Sequence, residues 1–470
     1  MAAPVQSDQA QQSTKAIKHN KAQQSTIKHS RLRIKVVRET YQTKPLECWS
    51  KAKELMAGYY RSVATAREQG KLLIAGGSSA FLVLPAGLGE YVFFGAEPYG
   101  AMVATSSQFS QECAEAVEAR GFARDVCSYM LNYWGSMFLD RYYFGGPFPR
   151  PDFCMSSQFC DTHSKWFQYV AEHLQVPYFS IDIPLSPARY DRKERFVEYL
   201  VSQMQEGIEW MVEVTGREYD DERLIESVKY ECEALCLMGE IVNFQKAIPA
   251  PLSQKSIFSI YVIPHLLGHS LEGVEFCREV REEVADRVQR GIAALATERC
   301  RIMDDSEPPW HFLKLYRYLE KFGALCIGSQ YSYSLGGNLV KDQEGNWVPP
   351  RTPEERGMPM RTREDALRAM ATFYLEKPIL ASFTTAEDKS SMVLEMAQQW
   401  RADGIILHLN RGCEGLTQGA LENRMALVES GLPVMTYEGN MGDKREFDEG
   451  QTLNRIDSFM ERLGLKKLEE

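Results

Sequence analysis

The sequence predicts an α/β protein with two doubly wound parallel sheets, a helical middle region and a disordered basic N-terminal tail. Short apolar runs broken by glycine begin at Leu72, helical periodicity dominates from Phe196 to Leu295, and strand-like and helix-like segments alternate again from Leu325. Short apolar runs are typical of strands buried on both faces, and their alternation with helices is typical of parallel sheets. We therefore expect a tail at 1–40, a first α/β domain at 41–190, a helical region at 191–315 and a second α/β domain at 316–470.

Residues 1–40 have the composition of a disordered tail. They contain no aromatic residue, carry eight Lys and Arg residues against Asp8 and Glu39, and repeat QQSTKAIKH as QQSTIKHS. A segment this polar cannot bury enough apolar surface to become ordered. Its basic charge either contacts an acidic partner or simply keeps the tail solvated.

The first domain contains four candidate strands, and its polar segment 106–120 has helical spacing. The candidate strands are LLIAGG, FLVLPAG, YVFFGAE and the run VPYFSIDIP at 176–184. In the middle region apolar residues recur every three or four positions, which indicates amphipathic helices at 196–211, 222–244 and 274–295.

The second domain alternates in the same way. Its candidate strands are LCIGS, PILAS, GIILHLN and LPVMTYEGN, and its candidate helices cover 363–374, 390–400, 418–430 and 448–463. Ligands of doubly wound sheets bind outside the carboxyl ends of the strands. The loops after Leu409 and Tyr437 are therefore the expected site.

Composition excludes several classes of function. The chain has 470 residues, is 44% hydrophobic and 25% charged, and carries a net charge of -10, which is the wrong sign for a nucleic-acid surface. Glycines and Pro85 interrupt the apolar run at 72–89, so we expect no membrane span there. No basic segment followed by an apolar one opens the chain, which favours a cytoplasmic protein with neither a nucleic-acid nor a membrane partner.

The eleven cysteines are expected to be core thiols or metal ligands, because disulfide frameworks are rare in the cytosol. Those in apolar stripes or runs, or without a metal-like neighbour, are interpreted as structural: Cys48, Cys113, Cys232, Cys236, Cys277, Cys300 and Cys326. Cys127, Cys160 and Cys413 lie instead among polar neighbours at loops or element boundaries. Cys413 follows a candidate strand and precedes a helix, whose dipole would favour an anionic sulfur.

Three widely spaced thiolates could hold an iron-sulfur cubane with one iron left open. The sequence contains no CxxC pair and no HExxH motif, so zinc is the less favoured metal. Cys154 is the alternative fourth ligand.

Five motifs together resemble the 2-hydroxyacyl-CoA dehydratase and benzoyl-CoA reductase superfamily, over most of 72–465. They are GEYVFFGAEPYGA, VCSYMLNYWG, FCMSSQFCDTHSKWFQ, HLNRGCEG and VMTYEGNMGDKREFDE. The longer ending TYEGNMGDKREFDEGQTLNRIDSFMERLGL resembles, more narrowly, the B subunit of ATP-dependent, class I benzoyl-CoA reductase. The resemblance implies two Rossmann-like halves and an iron-sulfur cluster, expected to be 4Fe-4S, held by Cys127, Cys160 and Cys413.

The resemblance also implies catalytic residues. Glu97 matches an active-site glutamate of the dehydratases and would act as a proton donor, although a carboxylate in the first turn of a helix is an equally simple interpretation. Ser79 matches an active-site serine, or is a turn hydroxyl. His163 could relay protons or tune the cluster through a hydrogen bond, or be a capping or surface residue.

The implied function is ATP-dependent aryl-CoA reduction, in which benzoyl-CoA or an analogue takes up two electrons and becomes a cyclic dienoyl-CoA. The chain has neither GxxxxGK[ST] nor GxGxxG, so separate iron-sulfur activator subunits would hydrolyse ATP and pass on electrons from ferredoxin. A homologous sister subunit would complete an oxygen-sensitive complex of anaerobic aromatic degradation. Two alternatives stay open, a 2-hydroxyacyl-CoA dehydratase subunit and a non-catalytic electron-transfer subunit.

Overall fold

Two four-stranded parallel sheets organise the part of the chain that the computed structural model describes, residues 40–77, 81–186 and 193–468. These described residues belong to one compact unit. The predicted tail, apart from its last residue, lies outside the described residues, and so does Ser79.

The first sheet confirms the parallel arrangement expected for the N-terminal domain. Its strands are β1 (Leu72–Gly76), β2 (Tyr91–Gly95), β3 (Phe153–Gln158) and β4 (Tyr178–Asp182). They lie in the spatial order β2-β1-β3-β4, and every pairing is parallel. The helices of this region are α1 (Trp49–Thr65), α2 (Ala96–Ala104), α3 (Ser107–Glu118), α4 (Ser128–Phe138) and α5 (Asp161–Leu174).

Four helices follow, three of them where the apolar periodicity predicts amphipathic helices, whereas the third in chain order was not predicted. They are α6 (Lys193–Thr215), α7 (Asp221–Asn243), α8 (Gln254–Leu267) and α9 (Leu271–Arg290). Asp220, Ser253 and Ser270 cap α7, α8 and α9, because each side chain accepts a hydrogen bond from a backbone N–H in the first turn. The apolar face of α6 is buried, with Leu200 and Met204 fully enclosed.

The second sheet follows the helices. In chain order the elements are β5 (Cys300–Asp305), α10 (Lys314–Glu320), β6 (Ala324–Ser329), β7 (Val340–Lys341), β8 (Trp347–Val348), α11 (Arg363–Leu375), α12 (Ala386–Gln399), β9 (Gly404–Asn410), α13 (Glu414–Thr417), α14 (Ala420–Glu429), β10 (Val434–Gly439) and α15 (Glu449–Arg462). The sheet order is β10-β9-β5-β6, with parallel pairing throughout, and β7 and β8 form a separate antiparallel pair.

Two predicted strands are wrong. FLVLPAG and PILAS form 3-10 helices at Leu84–Leu88 and Pro378–Phe383. A proline lies at the start of each helix, and proline has no N–H to donate to a sheet ladder.

One strand lies within the region predicted to be helical. The first strand of the second sheet, β5, lies inside 191–315. Charged residues in β5 interrupt the apolar pattern expected of a buried strand, but each of them has a hydrogen-bond partner. The Arg301 guanidinium donates to the carbonyl of Trp400, and the Tyr316 hydroxyl donates to the Asp304 carboxylate.

Both sheets share one strand order, in which the first strand lies beside the third. The winding therefore changes direction between β1 and β3 and between β5 and β9, and ligands bind at the carboxyl ends of such strand pairs. Cys160 follows β3 and Cys413 follows β9, so the two thiols occupy corresponding loops of the two sheets. Among the described helices, none has both the length and the apolar composition needed to cross a membrane.

Candidate active site

Three cysteines from distant segments line one cavity of about 1360 Å³. Each occupies the position just before a helix: Cys127 before α4, Cys160 before α5 and Cys413 before α13. None uses its sulfur to cap the helix. The structure thus brings together the three residues that polar context and resemblance had selected.

The other eight cysteines are buried, and all eleven are free thiols within the described residues. This burial confirms the structural interpretation of the seven cysteines in apolar contexts. Cys154, the alternative fourth ligand, is fully buried in β3 within the aromatic core and does not line the cavity. The sequence prediction of Cys154 as a ligand is therefore not supported by its position.

Burial opposes the effect that the helix dipole would have on the charge of the Cys413 sulfur. Burial raises the pKa of the Cys413 and Cys127 thiols, and in each case the charge of another candidate cysteine adds to the rise. The helix after Cys413 is only four residues long, so its dipole is weak against this desolvation. A bound cation would be needed to hold these sulfurs as thiolates.

A network of buried amides holds two of the cysteine loops together. The Ser128 backbone N–H donates to the carbonyl of Gly412 at 3.1 Å, and the Ser128 hydroxyl donates to Asn440 Oδ1 at 2.6 Å. Asn410 Oδ1 accepts from the N–H groups of Gly412 and Met441, both at 3.0 Å. Because these bonds join the start of α4 to the loops after β9 and β10, they fix Cys127 relative to Cys413.

His163 connects Cys160 to Glu97. Its Nδ1 lies 2.9 Å from the Cys160 sulfur, and its Nε2 forms a short hydrogen bond with the Glu97 carboxylate. Burial lowers the pKa of His163, but the charges of Cys160 and Glu97 and their hydrogen bonds outweigh it and raise the pKa to about 10. His163 is 5% exposed, so the interpretation of this histidine as a surface residue is wrong.

Sequence reasoning missed Glu307, a buried carboxyl on the cavity wall. It follows β5, and its Oε2 accepts from Asn410 Nδ2 at 2.9 Å and from the Ser306 hydroxyl at 3.1 Å. Burial raises its pKa, and the Cys413 thiol contacts it. Ser306 has a φ of 72°, a left-handed conformation that is strained for a non-glycine residue. The only signal for this site in the sequence was that two acidic residues, Asp304 and Asp305, follow a short apolar run.

Much of the cavity wall is aromatic or aliphatic. Its aromatic members include Phe122, Tyr129, Phe159, Phe258, Trp310 and Phe383. His265 also lies on this wall, and its Nδ1 is 2.9 Å from the carbonyl oxygen of Tyr261. A cavity of this size with a few convergent polar groups is typical of a ligand site.

The three sulfurs suit a multi-iron cluster better than a single ion. Within the described residues, no three His, Cys, Asp or Glu side chains converge closely enough to bind one metal ion. The ligands of a cubane each bind a different iron, so they surround the cluster and do not meet at one point. Three free thiols from separate segments that line one cavity fit that requirement.

Comparison with known proteins gives the same family as the motifs. Residues 91–463 match the model of the 2-hydroxyglutaryl-CoA dehydratase D-component family. The (R)-phenyllactyl-CoA dehydratase alpha subunit of Clostridium sporogenes is 25% identical over 377 residues, 79% of this chain and 84% of that protein. The (R)-2-hydroxyisocaproyl-CoA dehydratase alpha subunit of Clostridioides difficile is 23% identical over 427 residues, 87% of this chain and 94% of that protein.

The B subunit of benzoyl-CoA reductase from Thauera aromatica is 22% identical over 366 residues, 74% of this chain and 79% of that protein. It is no more similar to this chain than the dehydratase alpha subunits are, so the comparisons extend to the superfamily and not to the reductase subclass. With its three cavity cysteines, its two parallel sheets and a family match that spans most of its length, this chain belongs to the 2-hydroxyglutaryl-CoA dehydratase D-component family.

Proposed function

We propose that this chain is the iron-sulfur subunit of an enzyme that reduces the aromatic ring of benzoyl-CoA, or an analogue, by two electrons. The observation that carries the proposal is the set of three free cysteines, from three segments, around one cavity with many aromatic and aliphatic residues in its wall. Cys127, Cys160 and Cys413 would hold a 4Fe-4S cluster. When bound, the cluster supplies single electrons at low potential.

The residues of the chain bind and protonate the substrate. The aromatic wall accepts the ring and excludes water, which would otherwise compete for the reduced substrate. Glu97 lies on the same wall and delivers the proton in our proposal, and the protonated His163 supplies that proton to the Glu97 carboxylate through the short hydrogen bond. Two electrons and two protons added to benzoyl-CoA give the cyclic dienoyl-CoA.

The electrons come from partners. We assign ferredoxin as the source and ATP-hydrolysing iron-sulfur activator subunits as the carriers, with a homologous sister subunit completing the site. The names of the relatives, which designate alpha subunits and a B subunit, support an assembly of several chains.

Dehydration of an aryl-substituted 2-hydroxyacyl-CoA is the second candidate function. It is favoured by the similarity to a phenyllactyl-CoA dehydratase subunit.

Product analysis separates the candidates. The anaerobic complex of this chain with its sister and activator subunits is given reduced ferredoxin, ATP and either benzoyl-CoA or (R)-phenyllactyl-CoA. Ring reduction predicts a cyclic dienoyl-CoA and two electrons consumed per product. An unsaturated acyl-CoA formed without net electron consumption identifies a dehydratase. If turnover survives Glu97→Gln but is lost in the cysteine variants of this chain, the chain is a non-catalytic electron-transfer subunit.

A further inference from the structure

The hydroxyl groups of three tyrosines form a polar row on the wall of the cavity, much of which is aromatic or aliphatic. Tyr129 belongs to α4, Tyr261 to α8, and Tyr331 follows β6. All three side chains are largely buried, and the rings of Tyr261 and Tyr331 have centroids 5.7 Å apart. Tyr331 also lies beside Tyr129, so the three hydroxyls share one region of the wall, near Glu307.

Trp310 fixes the direction of one of these hydroxyls. Its indole Nε1 lies 2.6 Å from the Tyr129 oxygen. An indole N–H can only donate, so the Tyr129 oxygen accepts this bond and the tyrosine proton points away from Trp310. Trp310 is itself held, because its backbone N–H donates to the carbonyl of Met441 at 3.1 Å.

The backbone of Tyr129 is fixed as firmly as its side chain. Tyr129 lies two residues after Cys127, in the first turn of α4. A Cβ at Gly100 on α2 would lie 2.9 Å from the Tyr129 Cα, which shows how closely the two helices pack. The hydroxyl is therefore preorganised on the wall of the cavity that Cys127 also lines.

We propose that the Tyr129 hydroxyl donates a hydrogen bond to the thioester oxygen of the bound acyl-CoA, which makes Tyr129 a catalytic residue. This inference rests on the proposed function, but it holds for ring reduction and for dehydration alike. In both reactions an electron added to the thioester places negative charge on that oxygen. A preorganised neutral donor in a site that excludes water stabilises this charge without giving up its proton.

The test compares two tyrosines of the same helix in the assembled complex. Tyr129→Phe removes the proposed donor. Tyr133→Phe removes the same atom one turn later, where the hydroxyl has no hydrogen-bond partner among the described residues and does not line the cavity. We expect Tyr129→Phe to lower kcat by about 10²-fold with little change in KM, iron content or electron paramagnetic resonance spectrum. Tyr133→Phe should leave kcat unchanged.

A readout without turnover tests the hydrogen bond directly. Benzoyl-CoA carrying ¹³C at the thioester carbonyl is bound to each complex, and the carbonyl stretch is measured by infrared difference spectroscopy. The stretch should lie at lower frequency in the unmodified and Tyr133→Phe complexes than in the Tyr129→Phe complex.

The inference is overturned if the carbonyl frequency is the same in all three complexes, whatever happens to kcat. A Trp310→Phe complex, which retains the tyrosine but frees its hydroxyl, should fall between the unmodified and Tyr129→Phe complexes in both readouts. If the unmodified complex converts neither acyl-CoA, the proposed function itself fails. If the unmodified complex converts one of the two acyl-CoA substrates, and Tyr129→Phe gives the same kcat and carbonyl frequency as Tyr133→Phe, then only the role proposed for Tyr129 fails.

Discussion

Ser128 and Asn440 lie 312 positions apart in the chain, and a 2.6 Å hydrogen bond joins the Ser128 hydroxyl to the Asn440 side-chain carbonyl. The same Asn440 oxygen accepts from the backbone N–H groups of Gly442 and Asp443, both at 2.9 Å. One buried amide thus organises its own loop and anchors the start of the helix that follows Cys127. The distance between Cys127 and Cys413 depends on this contact between the first and last thirds of the chain.

Gly412→Ala should disturb this contact. A Cβ at position 412 would lie 2.4 Å from Ser128 Oγ and 2.7 Å from Asn440 Oδ1, so one of the loops must move. We expect a loss of about 1–3 kcal/mol in the free energy of unfolding and a lower iron content after reconstitution. Gly58→Ala is the control, since a Cβ there, on α1, would have no heavy atom of the described residues within 4 Å. Equal iron content in the two variants would contradict the prediction.

Cys413→Ser should lose cluster iron while the fold persists. Serine is a poor ligand for this iron, whereas the change in volume is small. Iron and sulfide analysis with electron paramagnetic resonance of the anaerobic complex measures the loss. Cys277→Ser, which alters a fully buried thiol of α9, should keep its iron. A Cys413→Ser complex with full iron and activity would remove this residue from the ligand set.

Glu97→Gln tests the proton donor. An amide can still accept the hydrogen bond from His163 but cannot transfer a proton, so kcat should fall about 10²- to 10⁴-fold with iron content unchanged. Glu222→Gln is the matched control, because Glu222 is an exposed carboxylate in the first turn of α7. Similar kcat values for the two variants would favour the interpretation of Glu97 as a helix-start carboxylate only.

Lys389→Met should destabilise the second domain. The Lys389 ammonium is 1% exposed, lies 3.4 Å from Asp305 Oδ2 and donates a short hydrogen bond to the carbonyl of Leu416 on α13. Its loss leaves a buried carboxylate without its cation, at a cost of about 3–5 kcal/mol in denaturant-induced unfolding. The double variant Lys389→Met/Asp305→Asn should recover part of that loss. No recovery would mean that the pair is not coupled.

Asp304 should make stability depend on pH. Burial raises its pKa from 3.8 to about 8 in the folded chain. The folded state therefore holds a proton that the unfolded state releases, and this contribution to stability is lost as pH rises from about 4 towards 8. The Asp304→Asn variant lacks the titrating group. The free energy of unfolding of this variant, relative to that of the unmodified chain, should therefore increase as pH rises over that range. Parallel pH profiles for the two chains would refute the assignment.

How much the sequence predicts differs between the fold and the site. Apolar periodicity located α6, α7, α9 and most strands, because buried faces must be apolar whatever they pack against, but it did not locate α1 or α8. It failed where polar residues are paired inside the core, as at Arg301 and Asp304 of β5. It failed also at Pro85 and Pro378. The apolar run around each proline was predicted to be a strand, but each proline lies in the first turn of a 3-10 helix.

The sequence by itself determined the superfamily, the parallel sheets and the three cysteines that differ in context from the other eight. It could do so because the residues around a position indicate whether that position is buried or lies in a loop. Only the tertiary structure decided that these sulfurs share a cavity, that His163 lies between Cys160 and Glu97, and that Trp310 orients Tyr129. These contacts join elements far apart in the chain. Their geometry depends on how the sheets and helices pack, which no local pattern encodes.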